Sequence, residues 1–186
     1  LRVIDGVVVV VDAVRGVESQ TCAVWPQTVS AGLPKLVFVN KLDRPGADYK
    51  AVFREVGEEL DCTAVELVVP LLDEGGKFAG LGEALTGSVQ WFEGQPDQAL
   101  VPKLQAELRA AHERLVEVAA DHDDDAMAAV VAGDTPAPAQ LRAASRPAFF
   151  AGHWVPLRAA AAPSNRVIAA LLGAVVACSP AVSRIS

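Results

Sequence analysis

The sequence is short of basic residues, of cysteine and of long hydrophobic runs, and each shortage narrows what it can be. Its 186 residues carry 16 Lys plus Arg against 23 Asp plus Glu, a formal net charge of −7. That balance argues against a broad electrostatic footprint on nucleic acid, and no direct DNA binding is expected. Cys22, Cys62 and Cys178 are few, odd in number and far apart. They fit a reducing, cytoplasmic compartment better than a disulfide scaffold. The five valines from Val7 to Val11 fall far short of the roughly 18 apolar residues that a membrane span needs. No basic segment followed by a long apolar core opens the chain, so a secretory signal is unsupported. What is present is ample apolar material, 52% of residues, enough for one packed domain with a small appended subdomain. The chain opens on Leu1, just before what reads as a core strand, which predicts that an upstream part has been lost.

Val3 to Asp12 (VIDGVVVVVD) is β-branched and nearly continuous, the pattern of a strand covered on both faces in a parallel sheet. A polar turn around Arg15 and Gly16 follows, and Ser19 offers an N-cap for a helix ending near Gly32. Pro26 would cost about 3 kcal/mol in mid-helix, which predicts a kink or a late start. Beyond the boundary at Pro34, Leu36 to Asn40 (LVFVN) reads as a second strand, completing a βαβ unit with a right-handed crossover. Ala47 to Leu60 has amphipathic helical spacing, and Thr63 to Val69 is a third strand. Between Gly75 and Gly94, short extended pieces such as Ser88 to Phe92 read as hairpin strands of a small insertion. A helix is predicted over Pro102 to Ala120, a loop over Thr135 to Ala139, a short strand over Pro147 to Ala151, and a covering helix over Val167 to Val176.

The chemistry concentrates at Asn40-Lys41-Leu42-Asp43, at the carboxyl end of the second strand, where open α/β sheets bind ligands. Guanine presents an N1–H and an exocyclic amino group side by side. A carboxylate at Asp43 can accept both, and adenine offers no such donor pair. A site built for one edge penalises an analogue that leaves its groups unpaired. Asn40 can bond the N7 edge or pin nearby backbone, and the aliphatic stem of Lys41 can lie along the base. The plain alternative is an ordinary polar turn after a strand. Elsewhere, Asp121 to Asp125 reads as a solvated helix junction without metal-ligand spacing. Asp12 is placed either for function or for capping the next turn, Cys22 and Cys178 read as core, and His112 reads as surface.

The runs LRVIDGVVVVVDAVRGVESQT and LPKLVFVNKLDRPGADY closely resemble the nucleotide-binding domain of bacterial elongation factor G, a translational GTPase. Asn40, Lys41 and Asp43 match that family's guanine-specificity motif. Phe78-Ala79-Gly80-Leu81 resembles the start of its inserted subdomain, and Asn165 to Pro180 (NRVIAALLGAVVACSP) its last helix. The resemblance implies an α/β, three-layer P-loop-type GTPase domain, a mostly parallel sheet flanked by helices. Its N-terminal phosphate-binding part is missing, and it carries a small inserted α+β subdomain. The implied division is a partial GTP-binding domain over 1–72 and 140–180, an inserted subdomain over 73–139, and the start of a linker at 181–186.

The family's phosphate-binding loop and switch motifs have no counterpart in the chain. No catalytic residue and no metal ligand is therefore assigned, and Mg²⁺ is expected only in an intact protein. The implied function is GTP or GDP binding, with GTP hydrolysis on the ribosome during translation elongation and no membrane association; the truncated chain by itself is expected to be inactive. The family's second base-contacting turn is matched to Gly152-His153-Trp154, which makes Gly152 and His153 further nucleotide-binding residues, with a backbone N–H at His153 or Trp154 reaching the guanine oxygen. The unusual make-up of that turn motivates an alternative: a non-hydrolysing or divergent paralogue, such as a ribosome-protection or guanine-binding protein. Loss of the first strand and the phosphate-binding helix predicts exposed apolar sheet faces and a bare strand edge.

Overall fold

The structure is a computed structural model that describes residues 4, 6–73, 75–92 and 102–159. Strand β1 (Val7–Asp12), helix α1 (Ser19–Ser30) and strand β2 (Lys35–Asn40) form the expected βαβ unit. The two strands pair in parallel and in step, from Val7 opposite Lys35 to Asp12 opposite Asn40. β2 is buried almost throughout, as its apolar run requires. β1 differs from the sequence expectation. Only Val11 is fully buried, while Val8 and Val10 are 38% and 58% exposed. The reason is position: among the described residues β1 is an edge strand, paired on one side only. Its valines face the core on one side and solvent on the other.

Helix α1 starts at Ser19, with Glu18 rather than Ser19 in the capping position and no side-chain cap. Pro26 lies inside the helix. It occupies the exposed face, while Trp25 and Thr28 face the core, and the Thr28 hydroxyl donates to the Trp25 carbonyl at 2.7 Å. Helix α2 (Tyr49–Glu59) is capped by Asp48, whose side chain accepts the Ala51 N–H at 3.0 Å. Val52, Val56 and the following Leu60 bury one stripe against β1, β2 and the next strands.

Strand β3 (Ala64–Leu72) begins the second half of the sheet. Strands β4 (Phe78–Glu83) and β5 (Val89–Trp91) follow it as antiparallel neighbours. The pieces read as hairpin strands are thus strands, and they extend the main sheet. Helices α3 (Pro102–Ala120), α4 (Asp124–Val131) and α5 (Pro138–Phe150) come next. Strand β6 (Val155–Ala159) then returns to lie between β2 and β3, parallel to both. The order β1-β2-β6-β3-β4-β5 gives a mixed six-stranded sheet flanked by helices, the α/β class expected. Among the described residues no helix is long and apolar enough to cross a membrane.

Two side-chain bridges tie α3 to the first half of the chain. Lys50 on α2 meets Glu107 on α3 at 2.5 Å. Glu66 on β3 is buried and paired with Arg114, whose guanidinium also lies over the Phe53 ring at 5.2 Å. Burial pushes the Glu66 carboxyl above its ordinary value despite the attraction of Arg114. The Tyr49 hydroxyl, buried between the same elements, donates to the Val68 carbonyl at 3.2 Å.

The strand expected over Pro147 to Ala151 is absent; those residues end α5, and the strand follows at Val155. Leu141, Ala144, Ser145, Ala148 and Phe149 are the buried positions, a helical stripe of three- and four-residue steps. Pro147 sits on the solvent side, as does Ala143 four residues earlier, where the helical hydrogen bond that proline removes is least costly to lose. His112, expected at the surface, is half-buried, with Nδ1 2.8 Å from the Ala84 carbonyl. The predicted helix over Val167–Val176, Cys178 and the segment 181–186 lie outside the described residues.

The stripe gives a direct check. Leu141→Ala should lower stability by about 2–5 kcal/mol through the cavity it leaves. Arg142→Ala, one residue along and exposed, should change it by less than about 0.5 kcal/mol. Urea denaturation of the two variants distinguishes a buried helical face from a surface loop.

Candidate functional site

The in-step pairing of β1 and β2 sets Asp12 beside Asn40 at the carboxyl edge of the sheet. From there both chains turn sharply. Lys41 adopts a left-handed conformation, φ 64°, which is unfavourable for a residue with a side chain. Asn40 supports that turn: its Oδ1 accepts the Lys41 N–H at 2.8 Å. The Lys41 Nζ then reaches back to Asp12 Oδ2 at 2.6 Å. The other oxygen, Asp12 Oδ1, accepts the Val14 N–H at 2.8 Å and, more weakly, the Arg15 N–H at 3.4 Å. Backbone bonds run between the same loops, from Ala13 N–H to the Asn40 carbonyl and from Asp48 N–H to the Ala13 carbonyl, both at 2.9 Å. The Lys41 ammonium, followed by the Val14 N–H, holds the Asp12 carboxyl below the ordinary carboxylate range.

The loop after β1 needs glycine at one point. Gly16 has φ 70°, and a Cβ there would lie 1.9 Å from Glu55 Oε2. That carboxylate oxygen comes from α2 and accepts the Val17 N–H at 3.0 Å. In the second loop Leu42 is buried and anchors the turn, while Asp43 is exposed and has no hydrogen-bond partner among the described residues. Between the loops is an open depression of about 540 Å³ lined by Asp12, Val14, Arg15, Lys41, Arg44 and Pro45.

Asn40, Lys41 and Asp43 are therefore brought together on one loop at the edge where a ligand would sit. Gly152 and His153 are not, and their assignment as base contacts is corrected. They precede β6, at the amino end of the sheet, where a Cβ on Gly152 would lie 3.8 Å from Lys35 Nζ. Lys35 and Asn40 are opposite ends of β2, about 16 Å apart at strand rise. The two N–H groups are also committed. Gly152, at φ 78°, donates to Phe149, and His153 to Ala148, each at 3.0 Å, the paired bonds that close a helix on a left-handed glycine. Trp154 is core: its ring is buried against Phe149, and its indole N–H donates to the Ser145 carbonyl at 3.1 Å. β6 runs parallel to β2, with Leu157 opposite Val37 and Ala159 opposite Val39, so Gly152 and His153 at its amino end lie away from the Asn40 edge.

Sequence reasoning left Asp12 between two roles; the structure gives it both turn capping and a bond to Lys41. The usable signal was that Asp12 and Asn40 each end a strand of one βαβ unit. Asp123 caps α4 by accepting the Ala126 N–H at 2.9 Å, as a solvated junction implies. Cys22 is half-buried against the core.

Comparison with known proteins decides the family. Residues 1–181 match the family described as the elongation factor Tu GTP binding domain. The chain belongs to it. Across 97% of its length it is 36% identical to elongation factor G 2 of Geobacter metallireducens (strain ATCC 53774 / DSM 7210 / GS-15), of which it spans 27%. A crystal structure of a Thermus thermophilus protein superposes on 95% of the chain with a TM-score of 0.78 and 26% identity, again covering 26% of that protein. The chain thus resembles elongation factor G among translational GTPases and spans about a quarter of the relatives it matches.

GTPases of this kind usually work with Mg²⁺, and the described residues assemble no ligand cluster for it. Among the described residues no group of three or more metal-ligating side chains converges, and the oxygens of Asp12 are engaged by Lys41 and two backbone N–H groups.

The Asp12 bonds carry a pH signature. A carboxyl held below its ordinary value stabilises the fold above that value and loses the contribution as pH falls through the folded-state pKa. Asp12→Asn should therefore cost about 0.5–1 kcal/mol at pH 7, the scale of a half-exposed ion pair. The gap between variant and parent should narrow below pH 3.8, as urea midpoints taken down the pH series would record.

Proposed function

We propose that this chain binds the base of GTP or GDP through Asn40, Lys41 and Asp43, as the base-recognition half of a translational GTPase. The observation that carries the reading is the exposed carboxylate of Asp43, without a partner among the described residues, beside an Asn40–Lys41 turn held by its own hydrogen bond. A guanine edge supplies two adjacent donors to that carboxylate. Asn40 serves the turn, its Oδ1 holding the left-handed Lys41, so its role toward the base is to keep the loop in shape. The Lys41 stem, drawn toward Asp12, lies along the depression where a base plane would rest.

In the longer protein this half would act in GTP hydrolysis on the ribosome during elongation, in the cytoplasm and away from membranes. The chain itself contains no Gly-x-x-x-x-Gly-Lys-Ser/Thr loop, so it contributes base recognition and sheet core and not the chemical step. The division into a GTP-binding part, 1–72 with 140–180, and an inserted part, 73–139, belongs to the same proposal. It is supported by β6, which returns after α5 to pair with β2 and β3. The alternative of a non-hydrolysing paralogue loses its motive, because the Gly152-His153-Trp154 turn caps α5 and fills the core.

Base selectivity tests the reading. In protein carrying the phosphate-binding segment, Asp43→Asn should weaken GDP binding by about 10- to 1,000-fold, the loss expected when paired donors are left unmatched. It should also raise affinity for XDP, whose C2 oxygen an amide donor can meet. Equal affinity for GDP, XDP and ADP in parent and variant would remove Asp43 from the site.

A further inference from the structure

We propose that His122 and His153 form a two-histidine site for a divalent transition-metal cation of the zinc, nickel or copper class. Their rings lie with centroids 4.9 Å apart and planes at 42°, and both residues are exposed. Two imidazoles sharing one tetrahedral cation, at the usual metal–nitrogen distance, place their centroids about 5 Å apart. The observed spacing therefore needs little adjustment to admit the ion.

Each histidine is held by a helix end. The last carbonyls of α3 have no helical partner. His122 follows that helix, and its Nδ1 lies 2.9 Å from the Val118 carbonyl. A carbonyl only accepts, so Nδ1 carries the hydrogen and donates it. In the neutral ring this leaves Nε2 with a free lone pair, the tautomer of a metal ligand whose other nitrogen is fixed by a carbonyl. His153 is fixed through its backbone, whose N–H donates to Ala148 at the end of α5. Its ring has no hydrogen bond among the described residues.

The surroundings favour a cation. Asp121, Asp124 and Asp125 flank His122 in sequence and are exposed, which raises local cation concentration. Asp123 is already used as the α4 cap. Since no third ligand side chain converges among the described residues, water completes the coordination, and the site is open and exchangeable. Imidazole donors select copper, nickel and zinc over magnesium, so this site is separate from any ion that arrives with a nucleotide. Bound metal would join the α3–α4 junction to the α5–β6 turn and stabilise the folded chain by mass action.

The test is the thermal midpoint of the full chain with zinc chloride or magnesium chloride, for the parent and for His122→Gln, His153→Gln and His112→Gln. Zinc a hundredfold above its dissociation constant should raise the parent midpoint by about 5–10 °C. Each of the first two variants should lose that increment. His112→Gln should keep it, because the His112 ring is engaged at Ala84. Magnesium should give none. An increment that survives in either His122→Gln or His153→Gln, or no increment in the parent at millimolar zinc, overturns the proposal. Imidazole ¹⁵N spectra give a second reading: zinc should shift Nε2 of His122 together with a ring nitrogen of His153, and a shift on only one ring excludes a shared ion.

Discussion

The in-step parallel pairing of β1 and β2 is the constraint on which the candidate site depends. Because the two strands end together, Asp12 and Asn40 emerge side by side, and the loops that follow are forced into contact. The bond between Asp12 and Lys41, and the backbone bonds between Ala13, Asn40 and Asp48, are consequences of that register. A slip of one residue would send every side chain of β1 to the other face and dismantle the junction at once. The buried faces of Val37 and Val39 on β2 and of Val11 on β1 oppose such a slip.

Legibility in the sequence followed how local the deciding interaction was. The βαβ unit and the long helix Pro102–Ala120 were readable because apolar spacing, glycine and proline mark them within a few residues of their own boundaries. Asn40, Lys41 and Asp43 were readable as a cluster because they are neighbours in the chain. The boundary between α5 and β6 was not. Pro147 mimics a helix stop, but its position on the wet face makes it tolerable, and only the burial of Ala148 and Phe149 reveals this. Gly152 misled for a related reason: glycine ahead of a strand suits a ligand-binding turn and a left-handed helix cap alike. Which of the two it serves depends on where α5 has been placed. The contact from Asp12 to Lys41 spans 29 residues, so no window of sequence displays it.

Electrostatics in the interior work differently from those at the sheet edge. Asp12 is near water and gains from its partners, so its carboxyl is driven toward ionisation. Glu66 also has a cationic partner, Arg114, yet burial outweighs it, and its carboxyl resists ionisation. The pair is therefore better understood as fixing how α3 lies on β3 than as a large source of stability. The Phe53 ring beneath Arg114 and the Lys50–Glu107 contact add points of registration between α3 and α2.

Helix α2 gives that registration a mechanical meaning. Its first residues adjoin the Asp43 loop, and its 11 residues form a rod about 16 Å long. Along the rod, Tyr49 is fastened to β3, Lys50 to α3 and Glu55 to the loop after β1. The loop carrying Asp43, the turn at Gly16 and the long helix α3 are thereby all attached to one short helix.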